Sequence, residues 1–190
     1  LPVAPATAAT APIPDRPEQL VFPPLEFQPP TAEPYRVPLA SGPVVYIAED
    51  RELPLIGLTI LVRTGHWVEP EGKEGLTDLG GSLLTRGGTE ARPAEELEER
   101  LAFLAAQLGS SIQGANGSVS LNLLSKDLDE GLTILREVLT QPRFQADRFE
   151  LHKQQMLQAM KQRNDHTASI ESMEQSILAY GAQFWDNRYQ

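Results

Sequence analysis

Apolar and polar residues along this chain follow two kinds of repeat, and each kind predicts a different element. Residues 44–48 and 55–63 are rich in β-branched and aliphatic side chains, which is typical of strands. The second run is almost continuously apolar, which indicates burial on both of its faces. Residues 110–115 and 117–124 predict two more strands, joined by a turn at Asn116-Gly117. In the later strand apolar and polar residues alternate, so we expect one face of it to be wet.

Longer stretches repeat their apolar residues with helical spacing. Pro93 suits a first helical turn, a leucine stripe runs on to Leu108, and Gly109 is placed to end the helix. Pro142 similarly stops the helix before it. The remaining helices are predicted at residues 75–84, 127–140, 145–163 and 167–182.

The resulting order, β-β-α-α-β-β-α-α-α, has strands and helices in pairs rather than in single alternation. Such an order favours an α+β fold in which helices pack on a mostly antiparallel or mixed sheet. Ten of the sixteen prolines lie within residues 1–34, where they prevent a helix or a central strand. We therefore expect an extended Pro-rich arm over residues 1–34 and a folded domain over residues 35–190.

Composition excludes several classes of function. The net charge of −10 comes without any basic cluster, so nucleic acid is not an expected partner. No run approaches the roughly 18 apolar residues that a membrane span needs. The chain has no cysteine, which excludes disulfides and thiolate chemistry. Its Ala/Pro-rich beginning resembles the residues that follow a bacterial secretory signal, so we expect a periplasmic or secreted protein.

The predicted helix at residues 75–84 contains a Gly80-Gly81 pair. Glycine within a helix costs about 1 kcal/mol relative to alanine, so the pair needs a reason. One hypothesis is that the glycines let the backbone of a partner or a substrate approach closely. The alternative is tight packing of this helix against the chain's own sheet.

Several phrases of the sequence resemble the insulinase and mitochondrial-processing-peptidase family of zinc peptidases. The Gly75–Leu84 helix has that family's apolar frame, and Gly87-Gly88-Thr89 follows it at the family's spacing. Leu97 to Gly114 resembles the family's helix that runs into a strand, and Val138 to Phe144 resembles its "vL-x-x-P-x-F" phrase. The resemblance covers roughly residues 36–189. It implies the N-terminal processing-peptidase domain (the LuxS/MPP-like fold), with a second, similar domain missing.

Active members of that family bind zinc through His-x-x-Glu-His on this helix, where the two histidines are ligands and the glutamate activates water. Here the three positions hold Asp78, Gly81 and Ser82. The third ligand is a glutamate about 77 residues after the second histidine, and that spacing counted from Ser82 falls on Ala159. The resemblance therefore implies a degenerate site with no catalytic residue, no bound metal and no cofactor.

Some polar residues near these positions need separate consideration. Asp78 and His152 could face the same cavity and form a residual polar site, although two ligands rarely make a closed metal site. The alternative is that Asp78 caps its helix while His152 lies at the surface. His66, in a loop, and His166, near a helix start, are interpreted as loop or cap residues.

The resemblance implies a zinc-lacking subunit or half of a processing-peptidase assembly. Such a chain would pair with a zinc-bearing catalytic subunit, with its own C-terminal half, or with both, and would help to form a peptide-binding chamber. One alternative is a scaffolding module with no role in proteolysis. Another is a peptidase with an altered metal site, centred on Asp78 and His152.

Overall fold

The structure is a computed structural model that describes residue 16 and residues 27–188, except for the side chain of Asp186. The chain divides into two compact units, Leu1–Asp50 and Arg51–Gln190. Most of the expected Pro-rich arm, residues 1–34, lies outside the described residues.

The first unit contains a small antiparallel pair of strands. Strand β1 is Arg36–Pro38 and strand β2 is Val44–Tyr46, with Arg36 opposite Tyr46. The sequence analysis missed β1, because three residues that end in proline carry almost no periodic signal. It also extended β2 two residues too far.

The second unit is built on a three-stranded antiparallel sheet. Its strands are β3, Leu55–Val62, β4, Gln107–Gln113, and β5, Asn116–Leu124. Their order is β3-β5-β4, so the central strand is the last of the three in the chain. The predicted turn at Asn116-Gly117 is wrong: both residues are in β5. The hairpin turns two residues earlier, at Gly114-Ala115, where Gly114 adopts the left-handed backbone conformation (φ 55°) that a tight turn requires.

Five α-helices accompany this sheet: α1, Leu76–Arg86, α2, Ala94–Phe103, α3, Leu128–Thr140, α4, Ala146–Gln162, and α5, Thr167–Tyr180. Helix α2 is shorter than predicted, because Ala105 takes a left-handed conformation (φ 49°) just after it. The N–H of Ala106 then donates to the carbonyl of Leu101 at 2.9 Å, which closes the helix end. Leu108 and Gly109, predicted as the end of this helix, belong to β4.

Helices α1, α2 and α3 cover one face of the sheet. One cluster joins Leu97 of α2 to Ile134 and Val138 of α3, and a second joins Leu121 and neighbouring residues of β5 to α3. Strand β3 supplies only alternate residues to this core. The expectation that β3 is buried on both faces is wrong, since Leu61 on its other face is 77% exposed.

The architecture is α+β, with antiparallel strands packed by helices, as the order of predicted elements indicates. In the part of the chain that the structure describes, none of the helices combines the length and the apolar character that crossing a membrane requires.

Candidate functional site

The site begins where the β3–α1 loop (residues 63–75) meets the first turn of α1. The first N–H groups of any helix lack partners within the helix, and a negative charge there is favourable. Glu69, which is only 8% exposed, supplies both a hydrogen-bond acceptor for these N–H groups and a negative charge. Its carboxylate accepts hydrogen bonds from the N–H and the hydroxyl of Thr77, both at 2.7 Å, and from the N–H of Gly75 at 3.4 Å. The loop therefore caps the helix that follows it.

The same loop is fixed to the hairpin between β4 and β5. The backbone N–H of His66 donates to the carbonyl of Gly114 at 2.9 Å. At the preceding residue, Gly65, a Cβ would lie 2.1 Å from that carbonyl oxygen, so no other residue fits without moving the backbone. The two glycines at this contact have different reasons: Gly65 allows the close approach of the two backbones, and Gly114 allows the left-handed turn.

His66 and Asp78 form the central pair of the site. Nε2 of His66 lies 3.2 Å from Oδ2 of Asp78, within range for the imidazole to donate to the carboxylate. The two side chains are 11% and 21% exposed. Burial raises the pKa of Asp78, while the charge of His66 and their hydrogen bond act in the opposite direction. The other oxygen, Oδ1, is buried and accepts no hydrogen bond of good geometry from the described residues, although the nearby side chain of Gln113 also acts to lower the pKa of Asp78.

Further along α1, the helix packs closely on β4. A Cβ on Gly81 would lie 2.7 Å from the backbone nitrogen of Ile112, whereas a Cβ on Gly80 would meet none of the described atoms within 4 Å. The hydroxyl of Ser110 donates to the carbonyl of Gly81 and lies 3.0 Å from the hydroxyl of Thr85. Internal packing on the sheet therefore explains Gly81, and it does not explain Gly80.

The sequence and the fold agree on the family. The sequence model of the insulinase family, peptidase family M16, matches residues 44–183. The chain belongs to this family. No curated protein matches the chain.

Solved structures of similar fold include one peptidase M16 inactive domain and several proteases. The peptidase M16 inactive domain from Pseudomonas fluorescens matches with a TM-score of 0.72 and 24% identity, over 80% of this chain and 37% of that one. The periplasmic protease PqqL from Escherichia coli matches with a TM-score of 0.65 and 16% identity, over 82% of this chain and 17% of that one. A protease from Helicobacter pylori has a TM-score of 0.55 and 17% identity, over 68% of this chain and 31% of that one. The chain thus spans well under half the length of these proteins.

Within the M16 fold, the structure shows what occupies each position that the resemblance assigns to zinc. Asp78 is in the first turn of α1 and is hydrogen-bonded to His66. Gly81 is buried against β4, and Ser82 is half-buried one residue later. Ala159 is exposed on α4, the helix that packs against α1.

These residues do not fit a zinc ion. A catalytic zinc takes three protein ligands from His, Cys or carboxylate side chains. Gly81 and Ala159 offer no donor, Ser82 offers a neutral hydroxyl, and the one carboxylate is held by His66. No three His, Cys, Asp or Glu side chains in the described ranges form a group that could hold a metal ion.

His152 lies in a different environment from Asp78. It is 9% exposed on α4, and it is a buried residue rather than the surface residue considered above. Burial lowers its pKa, and the charges of Arg86 and Arg148 lower it further. Arg86 ends α1, two turns beyond Asp78, and Arg148 lies on α4 itself. The charges that act on His152 therefore come from α4 and from the far end of α1.

Sequence reasoning did not find the partner of Asp78. His66 lies in a loop, twelve residues before Asp78, where no helical or strand period links two positions. The only signal was its setting between Gly65 and Trp67, which indicated a tight, specific turn.

Proposed function

We propose that this chain is a non-catalytic part of a processing-peptidase assembly. It pairs with a zinc-bearing catalytic subunit, with its own C-terminal half, or with both, and it forms one wall of a chamber that holds a peptide. The proposal rests on the residues at the four positions that the resemblance assigns to the zinc site on α1 and α4. Only Asp78 offers a carboxylate, and it is hydrogen-bonded to His66. The other three positions hold Gly81, Ser82 and Ala159.

The second face of the sheet, opposite the one on which helices α1 to α3 pack, supports the role in peptide binding. The strand register puts uncharged residues on this second face. They are Gly57, Thr59 and Leu61 of β3, Ser118, Ser120 and Asn122 of β5, and Gln107, Gly109 and Ser111 of β4. None of them is charged, although the whole chain has a net charge of −10. Such a face offers hydroxyl and amide groups to an extended peptide without selecting for its charge.

The setting of the chain is part of the same proposal. Residues 35–190 form the N-terminal one of two similar domains, and the protein acts in the bacterial periplasm or outside the cell. Supporting the first statement, the chain aligns with 37% of the Pseudomonas fluorescens protein. Supporting the second, a protein of similar fold is a periplasmic protease.

The first test is peptidase activity of the chain alone and in combination. Purified chain incubated with a broad peptide library should hydrolyse nothing. Adding the His-x-x-Glu-His protein from the same organism should restore hydrolysis to a level that neither protein reaches alone. Hydrolysis by the chain alone, lost with a chelator, would instead support the peptidase with an altered metal site. A stable complex without activity would support the scaffolding alternative.

A matched pair of variants tests the sheet face itself. Ser120→Arg puts a charge in the middle of this second face, while Thr133→Arg puts the same charge on an exposed position of α3. We expect the first variant to lower the restored activity at least tenfold and the second to leave it unchanged. Equal activity of the two variants, with complex formation intact, would rule out this face as the peptide wall.

A further inference from the structure

His66 contacts three parts of the second unit that are far apart in the chain. Its imidazole pairs with Asp78 in the first turn of α1 at 3.2 Å, and its backbone N–H donates to Gly114 in the β4–β5 hairpin at 2.9 Å. The ring of Trp185 meets the imidazole edge-on, with 6.4 Å between centroids and 70° between planes. The side chain of His66 is 11% exposed, so these contacts enclose it.

Trp185 belongs to a C-terminal turn (residues 181–188) that is attached to the end of α5. The side-chain amide of Asn187, a buried residue, donates to the carbonyls of Gly181 at 2.8 Å and Ser176 at 3.2 Å. Its carbonyl oxygen accepts from the hydroxyl of Ser176 at 2.7 Å. The ring of Phe184 stacks between Tyr180 and Trp185, at centroid distances of 5.1 and 4.8 Å. The turn and the end of α5 therefore move as one piece, and Trp185 joins that piece to His66.

Helix α5 has few other attachments to the residues that the structure describes. None of its residues between Thr167 and Tyr180 is buried, and Leu178 is 87% exposed. A helix with little buried apolar surface is held mainly by its ends and opens locally at low cost in free energy. The contact between Trp185 and His66 should therefore contribute a large share of what fixes the position of α5.

We propose that His66 is a metal-free junction that fixes the β3–α1 loop, the first turn of α1 and the C-terminal turn relative to one another. Asp78 stands where the resemblance would put a zinc ligand, and its carboxylate is used to hold His66 instead. His66 is a positioning residue in this scheme. The proposal stands on contacts within the chain and does not depend on the proposed function.

Hydrogen exchange of the complete chain tests the junction. In His66→Ala, amide exchange in residues 167–188 should speed up about tenfold or more, while β4 and β5 keep their protection. The control is Lys73→Ala, because Lys73 is exposed in the same loop as His66 and the substitution should leave exchange in residues 167–188 close to that of the unchanged chain. Unchanged exchange of the C-terminal turn in a folded His66→Ala protein would overturn the proposal.

The opposite end of the contact gives an independent measurement if His66→Ala fails to fold. Trp185→Leu removes the ring contact but leaves His66 and Asp78 in place. If His66 is the junction, amide exchange in residues 63–75 should speed up in Trp185→Leu. Unchanged exchange in those residues would contradict the proposal. A spectroscopic check uses the Trp67→Phe background, in which Trp185 is the only tryptophan. Its fluorescence should shift to the red when His66 is replaced by Gln, which keeps a hydrogen-bond donor but loses the imidazole ring.

Zinc itself distinguishes a metal-free junction from a metal site. Added zinc chloride should leave the thermal unfolding midpoint of the complete chain unchanged, and a chelator should leave it unchanged as well. A zinc-dependent rise in the midpoint that disappears in Asp78→Ala would show that the pair binds metal, and it would overturn the metal-free assignment.

Discussion

At the scale of single residues, Gly80 and Gly81 are neighbours with different surroundings. Gly81 lies against the backbone of Ile112, which cannot move away as a flexible side chain could. Gly80 has open space in the direction of a missing Cβ, as far as the described residues extend. The hypothesis that a partner backbone approaches this helix therefore stays a prediction for Gly80, while Gly81 has an internal reason.

This difference predicts opposite effects of two alanine substitutions. Gly80→Ala should raise the free energy of unfolding by up to about 1 kcal/mol, because alanine is the better helix former. Gly81→Ala should lower it by about 1–3 kcal/mol, because the added methyl must displace β4. Urea unfolding of the two single variants measures both values. A gain in stability at both positions would show that α1 is not closely packed on β4.

The pairing of Asp78 with His66 marks where residue-level prediction ends. The positions of the family's zinc site could be assigned from the sequence, because the resemblance aligns the family's motif with the Gly75–Leu84 helix. The partner of Asp78 could not, since it depends on how a loop docks on a distant hairpin through Gly65 and Gly114. Contacts set by docked loops have no period in the sequence.

At the scale of elements, helix α1 is capped from outside itself. Gly75, at its N-cap position, has no side chain to offer, and Glu69 supplies the acceptor across six residues of loop. The prediction of the helix was confirmed, but its cap was not predictable from local rules, which look for a polar side chain at the N-cap itself.

Replacing this external cap should weaken the helix start. Glu69→Ala should lower the free energy of unfolding by about 1–2 kcal/mol, because it leaves the N–H groups of Gly75 and Thr77 without their acceptor. Glu69→Gln keeps an acceptor without the charge and should cost less. Glu71→Ala, at an exposed position of the same loop, is the matched control and should change the value by no more than about 0.5 kcal/mol. Equal losses in Glu69→Ala and Glu71→Ala, measured by urea unfolding, would argue against the cap.

Boundaries between elements were less predictable than the elements. The five helices and the strands of the sheet were expected, yet the leucine pattern of α2 continues into β4 without interruption. Ala105 breaks it with a backbone conformation that alanine adopts only when the tertiary structure requires it. Apolar residues on both sides of that break face the same core, so the pattern alone could not reveal where the helix ends.

At the scale of the whole molecule, the stability should depend on pH through His152. Its pKa in the folded chain lies below the ordinary value of 6.5, because burial disfavours the charged ring. Between those two pKa values the unfolded chain binds more protons than the folded one, so the free energy of unfolding falls as the pH is lowered from 6.5. Above pH 6.5 His152 is neutral in both the folded and the unfolded chain, so it causes no loss of stability there.

Urea unfolding between about pH 7 and pH 5 measures this dependence, in a range above the usual titration of carboxylates. His152→Gln should flatten the curve over that range. His166→Gln removes an exposed histidine and should retain the slope of the unchanged chain. A slope that survives in His152→Gln would assign the pH dependence to another group.

The fold class and the family were predictable because many weak signals agreed over the length of the chain. The sidedness of the sheet was not predictable from β3 alone, whose apolar run hides which face the helices cover. The alternation along β5 identified it correctly, and the register between β3 and β5 transfers that information to β3. The sequence reveals which face of a strand is buried only where the opposite face carries polar residues.

The strand order β3-β5-β4 also has a consequence for how the chain tolerates change in length. The paired residues of β3 and β5 that are closest in sequence are Val62 and Gly117, and both α1 and α2 lie in the chain between them. The entropy of closing a loop grows only with the logarithm of its length, so doubling such a segment costs about 0.6 kcal/mol. Insertions among the exposed residues 70–74 of the β3–α1 loop are therefore cheap in chain entropy, whereas Thr89, between α1 and α2, is fully buried and leaves no room for one. The sheet can keep its register while that exposed part of the loop varies in length.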